Sequence, residues 1–176
     1  MAVAAGAASH PHSTVEGAVW LEILPFFLEA GGIRTLRATG GRSWRVPHGG
    51  DDVRQTVAQR LAAAGLDPVA VHSTSWRQER GAVLLTHLAV LRRPAADAEG
   101  LESWPVRDGE LAYGSALLPP ARIEVDHVVA HALRHLAWLA LQDEAVRGSL
   151  SDGWREALRR FQAEPFRRFE GGRATA

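Results

Sequence analysis

WRVPHGGDDVRQTVAQRLAAAGL, residues 44–66, is the stretch that decides the fold. Residues 47–50 combine Pro and two Gly, which is typical of a turn. Beyond the turn, apolar residues share one helical face, at Val53, Val57, Leu61 and Ala64. Asp51 or Asp52 is the expected N-cap, and Gly65 is expected to end the helix. The stretch therefore predicts a strand end, a turn and a helix with defined ends.

Two segments precede this stretch. In residues 15–32, VEGAVWLEILPFFLEAGG, the apolar residues lie close to helical spacing and Pro25 interrupts them. We expect a short, kinked helix there, with a strand as the alternative. Residues 33–46 alternate in polarity around Gly40–Gly41, and this pattern predicts a β-hairpin.

A second hairpin is predicted over residues 69–91, with its turn at 78–81. A loop centred on that turn sets the cross-strand partners, which are His72 with His87, Thr74 with Leu85 and Trp76 with Val83. His72, Thr74 and Trp76 then share one face of the sheet. The two histidines are expected to be neighbours.

The C-terminal half predicts one long loop and two helices. Residues 92–121 are rich in Pro, Gly and acids and read as a long ordered loop. Its scattered anchors are Trp104, Tyr113 and Leu117. Residues 124–141 are apolar almost all round, which predicts a buried helix. A final helix over 152–162 is capped by Ser151 or Asp152.

Composition limits the chemistry. The chain has 20 basic and 20 acidic residues, so no overall charge draws it to nucleic acid or to a membrane surface. It contains no Cys and no Lys, which excludes thiol nucleophiles, Cys-bound zinc and Schiff-base lysine. No apolar run reaches the roughly 20 residues that span a bilayer. We expect a cytoplasmic protein with one α/β domain over 15–169, a disordered leader over 1–14 and a flexible tail over 170–176.

Residues 44–91 resemble the central segment of a Nudix hydrolase. The similar features are Trp44, Pro47, Gly49–Gly50, the AAAGL of residues 62–66 and the THLAVL of residues 86–91. The resemblance implies an α/β (α+β) fold, in which helices flank a small, mostly antiparallel or mixed sheet.

The family's catalytic box, G-x5-E-x7-R-E-U-x-E-E-x-G-U, is not preserved here. In that family several glutamates on one helix hold a divalent metal against a diphosphate. When the chain is aligned on Gly65, the Glu-Glu pair becomes Ala62–Ala63 and the Arg-Glu pair becomes Ala58–Gln59. The interval from Gly49 is also five residues too short. The resemblance therefore implies the fold without the family's hydrolysis.

Histidines offer a different metal site, with a divalent transition metal as the candidate cofactor. The candidate ligands are His72 and His87 from the strands, and His127, His131 and His135 from the helix. His127 and His131 lie one helical turn apart and can share an ion, to which Asp126 or Glu124 would add an oxygen. Alternatively the histidines pack and hydrogen-bond locally, because positions eight apart differ by about 80° around a helix.

A ligand site is predicted between the glycine turn and the second hairpin. Its candidate residues are His48, Gly49, His72, Thr74, Trp76 and His87. Trp76 would stack on a planar ligand, and the turn amides beside His48 would favour an anion.

The leading hypothesis is a non-catalytic or atypical small-molecule-binding protein, with nucleotide-like compounds among its ligands. Its partners would be a small molecule and, as a candidate assembly, a second copy in a homodimer, with no nucleic acid and no membrane. The alternatives are a His-ligated metal-dependent hydrolase and a module that binds a protein partner through its apolar C-terminal helices.

Overall fold

The structure is a computed structural model, and it describes residues 17–30, 32–50, 52–93, 98, 100–107 and 123–163. The predicted leader and tail, Asp51, Tyr113 and Leu117 lie outside these residues.

The described residues form a mixed six-stranded sheet and four helices. The strands are β1 (Val19–Glu29), β2 (Gly32–Ala38), β3 (Trp44–Pro47), β4 (Pro68–Glu79), β5 (Ala82–Leu91) and β6 (Leu101–Pro105). The helices are α1 (Val53–Ala63), α2 (Val125–Gln142), α3 (Glu144–Ser149) and α4 (Asp152–Leu158). The sheet order is β4-β5-β1-β2-β6, with β3 also paired to β1. Among these pairings β1 with β5 is parallel and the others are antiparallel, which confirms the expected α+β class.

The N-terminal segment is the central strand β1, so the expected kinked helix is wrong and the alternative is correct. Its residues 21–27 are all buried, because helices cover both faces of the sheet at this strand. A strand buried on both faces has a continuous apolar run, which also satisfies helical spacing. Pro25 lies where β1 changes partner from β3 to β2, a position at which a strand tolerates one missing N–H donor.

The hairpin predicted over residues 33–46 is also corrected. A single bridge between Ala38 and Arg42 closes a tight turn, and Gly40 and Gly41 supply its positive φ angles of 76° and 74°. Beyond that turn the two strands separate, since β3 pairs with the first half of β1 and β2 pairs with the second half. Strands β2 and β3 therefore pair with successive halves of β1 and not with each other.

Helix α1 forms as predicted. The Asp52 carboxylate accepts hydrogen bonds from the N–H groups of Arg54 and Gln55, and Gly65 follows the helix with φ of +68°. Val57 and Leu61 are fully buried against one face of the sheet. The helix contains no Asp or Glu.

The sheet has two covered faces, named here for the helices that cover them. On the α1 face, Leu21, Ile23, Phe27 and Ala89 pack with Val57 and Leu61. On the α2 face, Leu24, Phe26 and Leu88 pack with Leu133 and Leu136 of α2 and with Trp154 of α4. Burial of these two clusters is the main stabilising contribution to the fold.

The β4–β5 hairpin forms, but its register differs from the prediction. Arg80 and Gly81 make a two-residue turn with φ of 52° and 80°, and this turn is centred one residue later than expected. Trp76 pairs with Leu85 rather than Val83, and Ser73 rather than His72 pairs with His87. Between Ser73 and Ser75 the register shifts by one residue in a β-bulge. The bulge places Trp76 and His72 on opposite faces of the sheet.

The C-terminal half matches its prediction in part. The predicted loop of residues 92–121 contains strand β6, which pairs with β2 at the sheet edge. Helix α2 forms as predicted and Ser151 caps α4, but α4 ends at Leu158, before the predicted residue 162. The short helix α3 was not predicted. None of the helices in the described ranges is long and apolar enough to span a membrane.

Candidate ligand-binding cleft

A cleft of about 560 Å³ lies on the α2 face of the sheet, beside the first turn of α2. Its described lining comes from six places in the fold: Trp20 of β1, Ala38 of β2, Arg42 to Arg45 before and in β3, Glu79 and Arg80 at the hairpin tip, Ala82 and Leu84 of β5, and Val125 of α2. Trp20 and Leu84 are neighbours in the parallel ladder and form an apolar floor. Trp44 packs against the α1-face cluster, so Trp20 is the ring that we assign to this floor.

A buried ion pair lies under the cleft. Glu22 is fully buried on β1, and both of its carboxylate oxygens accept hydrogen bonds from the Arg77 guanidinium, at 2.5 and 2.6 Å. The Thr86 hydroxyl donates a further bond to Glu22 at 2.9 Å. Burial raises the pKa of Glu22, but the bonds and charge of Arg77 outweigh it and hold that pKa below its ordinary value. Both partners are therefore charged at neutral pH.

A second ion pair lies above the first, at the wall of the cleft. Both terminal nitrogens of Arg45 donate to the Glu79 carboxylate at 3.0 Å, and Arg45 Nε donates to the Ser43 hydroxyl at 2.9 Å. Arg45 also lies 3.6 Å from Glu22. The side chains of Arg45 and Glu79 are 34% and 35% exposed, unlike Glu22 at 0%. The outer pair is thus open to solvent and to a ligand.

The glycine turn that carries Arg42 is held in place by an aromatic contact. A Cβ atom at Gly41 would lie only 3.0 Å from the Trp104 ring, and other residues rarely adopt its φ of +74°, so this position favours glycine. The Arg37 guanidinium lies over the same Trp104 ring, 5.6 Å from its centroid. Arg37 also forms an ion pair with Asp126 of α2. Strand β6, the turn and the start of α2 are therefore connected around the cleft.

Four of the predicted ligand residues lie on or near the α1 face, away from this cleft. His87 pairs in the ladder with Ile23 of the α1-face cluster, and His48 follows β3, with its Nδ1 3.5 Å from the Thr56 hydroxyl. Trp76 is opposite Leu85 on the same face and is 72% exposed. Gly49 follows His48, and its Cβ position meets open space.

The other two predicted residues lie elsewhere. His72 contacts α2, with its ring centroid 5.2 Å from that of His135. Thr74, the residue at the bulge, is buried and donates to the Thr86 carbonyl at 3.3 Å. The six predicted residues are thus divided between the two faces of the sheet, and their role in ligand binding stays a prediction.

The described residues contain no group of three or more His, Asp or Glu that could hold a metal ion. The four-histidine site of the hydrolase hypothesis is therefore not assembled in this part of the chain. His127 Nδ1 accepts the backbone N–H of Glu124 in a capping box, which uses a lone pair that a metal would need. Metal binding by His127 and His131 stays a prediction.

We predict an acid-sensitive contribution of His87 to stability. Burial lowers the pKa of His87 below 6.5, and the nearby His72 and His48 lower it further. Because the unfolded chain takes up this proton more readily, the contribution is present above pH 6.5 and lost as the pH falls through the lowered pKa. Chemical denaturation at pH 7.5 and 5.0 should show a smaller pH-dependent loss in His87→Gln than in the wild type. Equal losses would contradict the prediction.

No protein-family model matches the sequence, and no curated protein sequence matches it significantly. The structure is similar to the crystal structure of Shewanella oneidensis NrtR, with a TM-score of 0.54 at 15% identity over 80% of this chain and 77% of that chain. NrtR complexed with a 27mer DNA gives a TM-score of 0.52 at 15% identity, over 80% and 75% of the two chains. The NUDIX domain of NrtR complexed with ADP ribose gives 0.37 at 16% identity, over 55% and 78%.

At this level of identity the likeness to NrtR concerns the fold. It agrees with the mixed sheet between α1 and α2 and with the resemblance predicted from residues 44–91. This chain therefore has a fold similar to that of NrtR, and its helix α1 lacks acidic residues.

Proposed function

We propose that this chain is a non-catalytic protein that binds a nucleotide-like small molecule in the cleft beside Trp20. The observation that carries the proposal is the Trp20 ring on the cleft floor together with three guanidinium groups in the lining, from Arg42, Arg45 and Arg80. An indole ring stacks on a planar base, and guanidinium groups bind phosphate through paired hydrogen bonds. A nucleotide combines both chemical features in one molecule.

The proposal of a non-catalytic role rests on helix α1. Hydrolysis of a diphosphate by Nudix enzymes needs carboxylates on this helix to hold a divalent cation, and α1 has none. The buried Glu22 does not replace them, since Arg77 and Thr86 already occupy both of its oxygens.

Isothermal titration calorimetry with adenosine, AMP, ADP and ADP-ribose tests the proposal. We expect the phosphorylated compounds to bind more tightly than adenosine, and we expect Trp20→Ala and Arg42→Gln to weaken AMP binding by about tenfold or more. Incubation of ADP-ribose with the protein and Mg²⁺ or Mn²⁺ should give no cleavage products. Cleavage would contradict the non-catalytic role, and failure of all four compounds to bind would contradict the function itself.

Trp76→Ala is the matched control, because Trp76 is an exposed tryptophan outside the cleft. It also tests the site predicted from sequence, in which Trp76 lies with His48 and His87. Loss of AMP binding in Trp76→Ala with normal binding in Trp20→Ala would place the ligand on the α1 face instead.

No observation favours the partner-binding alternative over the cleft. Two of the exposed large apolar side chains in the described ranges, Val71 and Trp76, lie on β4, and the others lie on different segments: Trp104 on β6, Ile123 before α2 and Leu141 near the end of α2. The expectation that the protein does not bind nucleic acid, which rests on its zero net charge, stays a prediction, as do the homodimer and the cytoplasmic location.

A further inference from the structure

We propose that Glu79 competes with the anionic group of the ligand for Arg45. Its carboxylate accepts the two hydrogen bonds of Arg45 that a phosphate or carboxylate of the ligand would accept. The proposal rests on the proposed function, and it adds the chemical class of the ligand group and the residue that opposes its binding. The preferred ligand is one whose acid group presents two oxygens side by side.

The outer ion pair, Arg45 with Glu79, has the geometry of a guanidinium bound to an acid group of a ligand. Both terminal nitrogens of Arg45 face the two oxygens of Glu79 at equal distances of 3.0 Å. A guanidinium group binds phosphate and carboxylate through this same pair of parallel bonds. The Glu79 carboxylate therefore has the position and the chemistry of the ligand group that we expect at Arg45.

The two ion pairs differ in their access to a ligand. Glu22 is fully buried and holds Arg77 with short bonds, so that pair has no access to a ligand. Arg45 and Glu79 are each about one-third exposed, so an exchange between them and a ligand requires little loss of hydration. A fixed pair under the cleft thus lies beside an exchangeable pair at its wall, and Arg77 Nε of the fixed pair lies 3.6 Å from Glu79.

Arg45 has contacts that do not depend on Glu79. Its Nε donates to the Ser43 hydroxyl at 2.9 Å, and its Nη2 lies 3.6 Å from the Glu22 carboxylate. These contacts keep the guanidinium in place when Glu79 is replaced by a ligand. Glu79 lies next to the hairpin turn and needs to move only its side chain.

The described lining of the cleft contains more cationic than acidic side chains. Among its described lining residues, Arg42, Arg45 and Arg80 are cationic and Glu79 is the acid. While Glu79 faces the cleft, its charge opposes an approaching anion and leaves a neutral ligand unaffected. The effect of Glu79 should therefore depend on the charge of the ligand.

Calorimetry with AMP and adenosine tests this competition in Glu79→Gln. We expect Glu79→Gln to tighten AMP binding by about three- to tenfold and to leave adenosine binding within about twofold of the wild type. Glu29→Gln is the control, because it removes the same charge from an exposed pair with Arg34, outside the cleft. It should change AMP binding by less than about twofold. Thermal unfolding of each variant verifies that it is folded.

A double-variant cycle separates competition at Arg45 from general repulsion. In the Arg45→Gln background, Glu79→Gln should give little or no gain in AMP affinity. A full gain in that background, or equal weakening of AMP and adenosine in Glu79→Gln, would overturn the inference, and so would AMP binding that Glu79→Gln leaves unchanged. Failure of AMP to bind both the wild type and Glu79→Gln would instead overturn the proposed function.

Discussion

Glu22→Gln should destabilise the protein by about 3–5 kcal/mol, the usual cost of removing one partner of a buried ion pair. The substitution preserves the shape of the side chain but removes the charge that Arg77 holds through two short bonds. Arg77 is itself 13% exposed, so its charge would be left largely buried, with the partly exposed Glu79 at 3.6 Å as its remaining acidic partner. Urea denaturation at pH 7 measures the difference in the free energy of unfolding.

Two comparisons make this result specific. Glu29→Gln removes an exposed partner of Arg34 and should cost less than about 1 kcal/mol. The pKa of Glu22 is lowered in the fold, so its contribution is present above pH 4.5 and lost as the pH falls through the lowered value. The stability of Glu22→Gln should therefore fall less steeply in acid than that of the wild type. A loss below about 1 kcal/mol at pH 7 would refute the assigned role.

Leu133→Ala should cost about 2–5 kcal/mol, the range for a buried leucine whose removal leaves a cavity. Leu133 is fully buried in the α2-face cluster, between the sheet and helix α2. The loss combines the apolar surface returned to water with the contacts that its neighbours no longer make. Thermal and chemical unfolding both report the effect.

Leu141→Ala is the matched control for this experiment, since it makes the same substitution in the same helix. Leu141 is 64% exposed, so the change should stay within about 0.5 kcal/mol. Both variants replace Leu by Ala in α2, so the change in helix propensity is the same. The difference between their free energies of unfolding therefore measures the burial of Leu133 against the sheet. Similar losses in both variants would show that α2 does not pack as described.

Local signals predicted helix α1 correctly. Its N-cap Asp52 and the Gly65 that follows it are recognised from neighbouring residues alone, and both act as expected. The α+β class was predicted with the help of the strand, turn and helix around α1, and the mixed sheet confirms it. The fold was predictable where the sequence of an element contains the residues that begin and end it.

Strand β1 was not predictable from local spacing, because tertiary burial determines its state. An apolar run covered by helices on both faces loses the alternation that identifies a strand. Its surroundings come from β5, β3 and β2, which lie elsewhere in the sequence. The bulge at Thr74 is a similar case, since one extra residue reverses the faces of the rest of β4.

The bulge also explains why the cleft was missed. Without it, Arg77 would share the face of Ser73 and would point away from Glu22. The cleft itself combines Trp20, Arg45 and Arg80, whose segments come together only in the folded sheet. One signal was present in the sequence: Glu22 is a single acid inside the apolar run of residues 19–28, and such an acid needs a buried cationic partner.

The parallel pairing of β1 with β5 has a consequence for synthesis on the ribosome. Glu22 and Thr86, which bond to each other across these strands, are separated by 64 residues in the chain. The nascent β1 must wait for β5 to emerge before its apolar side chains can reach their final neighbours. Such non-local pairing slows folding and exposes an aggregation-prone strand, so the growing chain should be a client for chaperones that shield apolar segments.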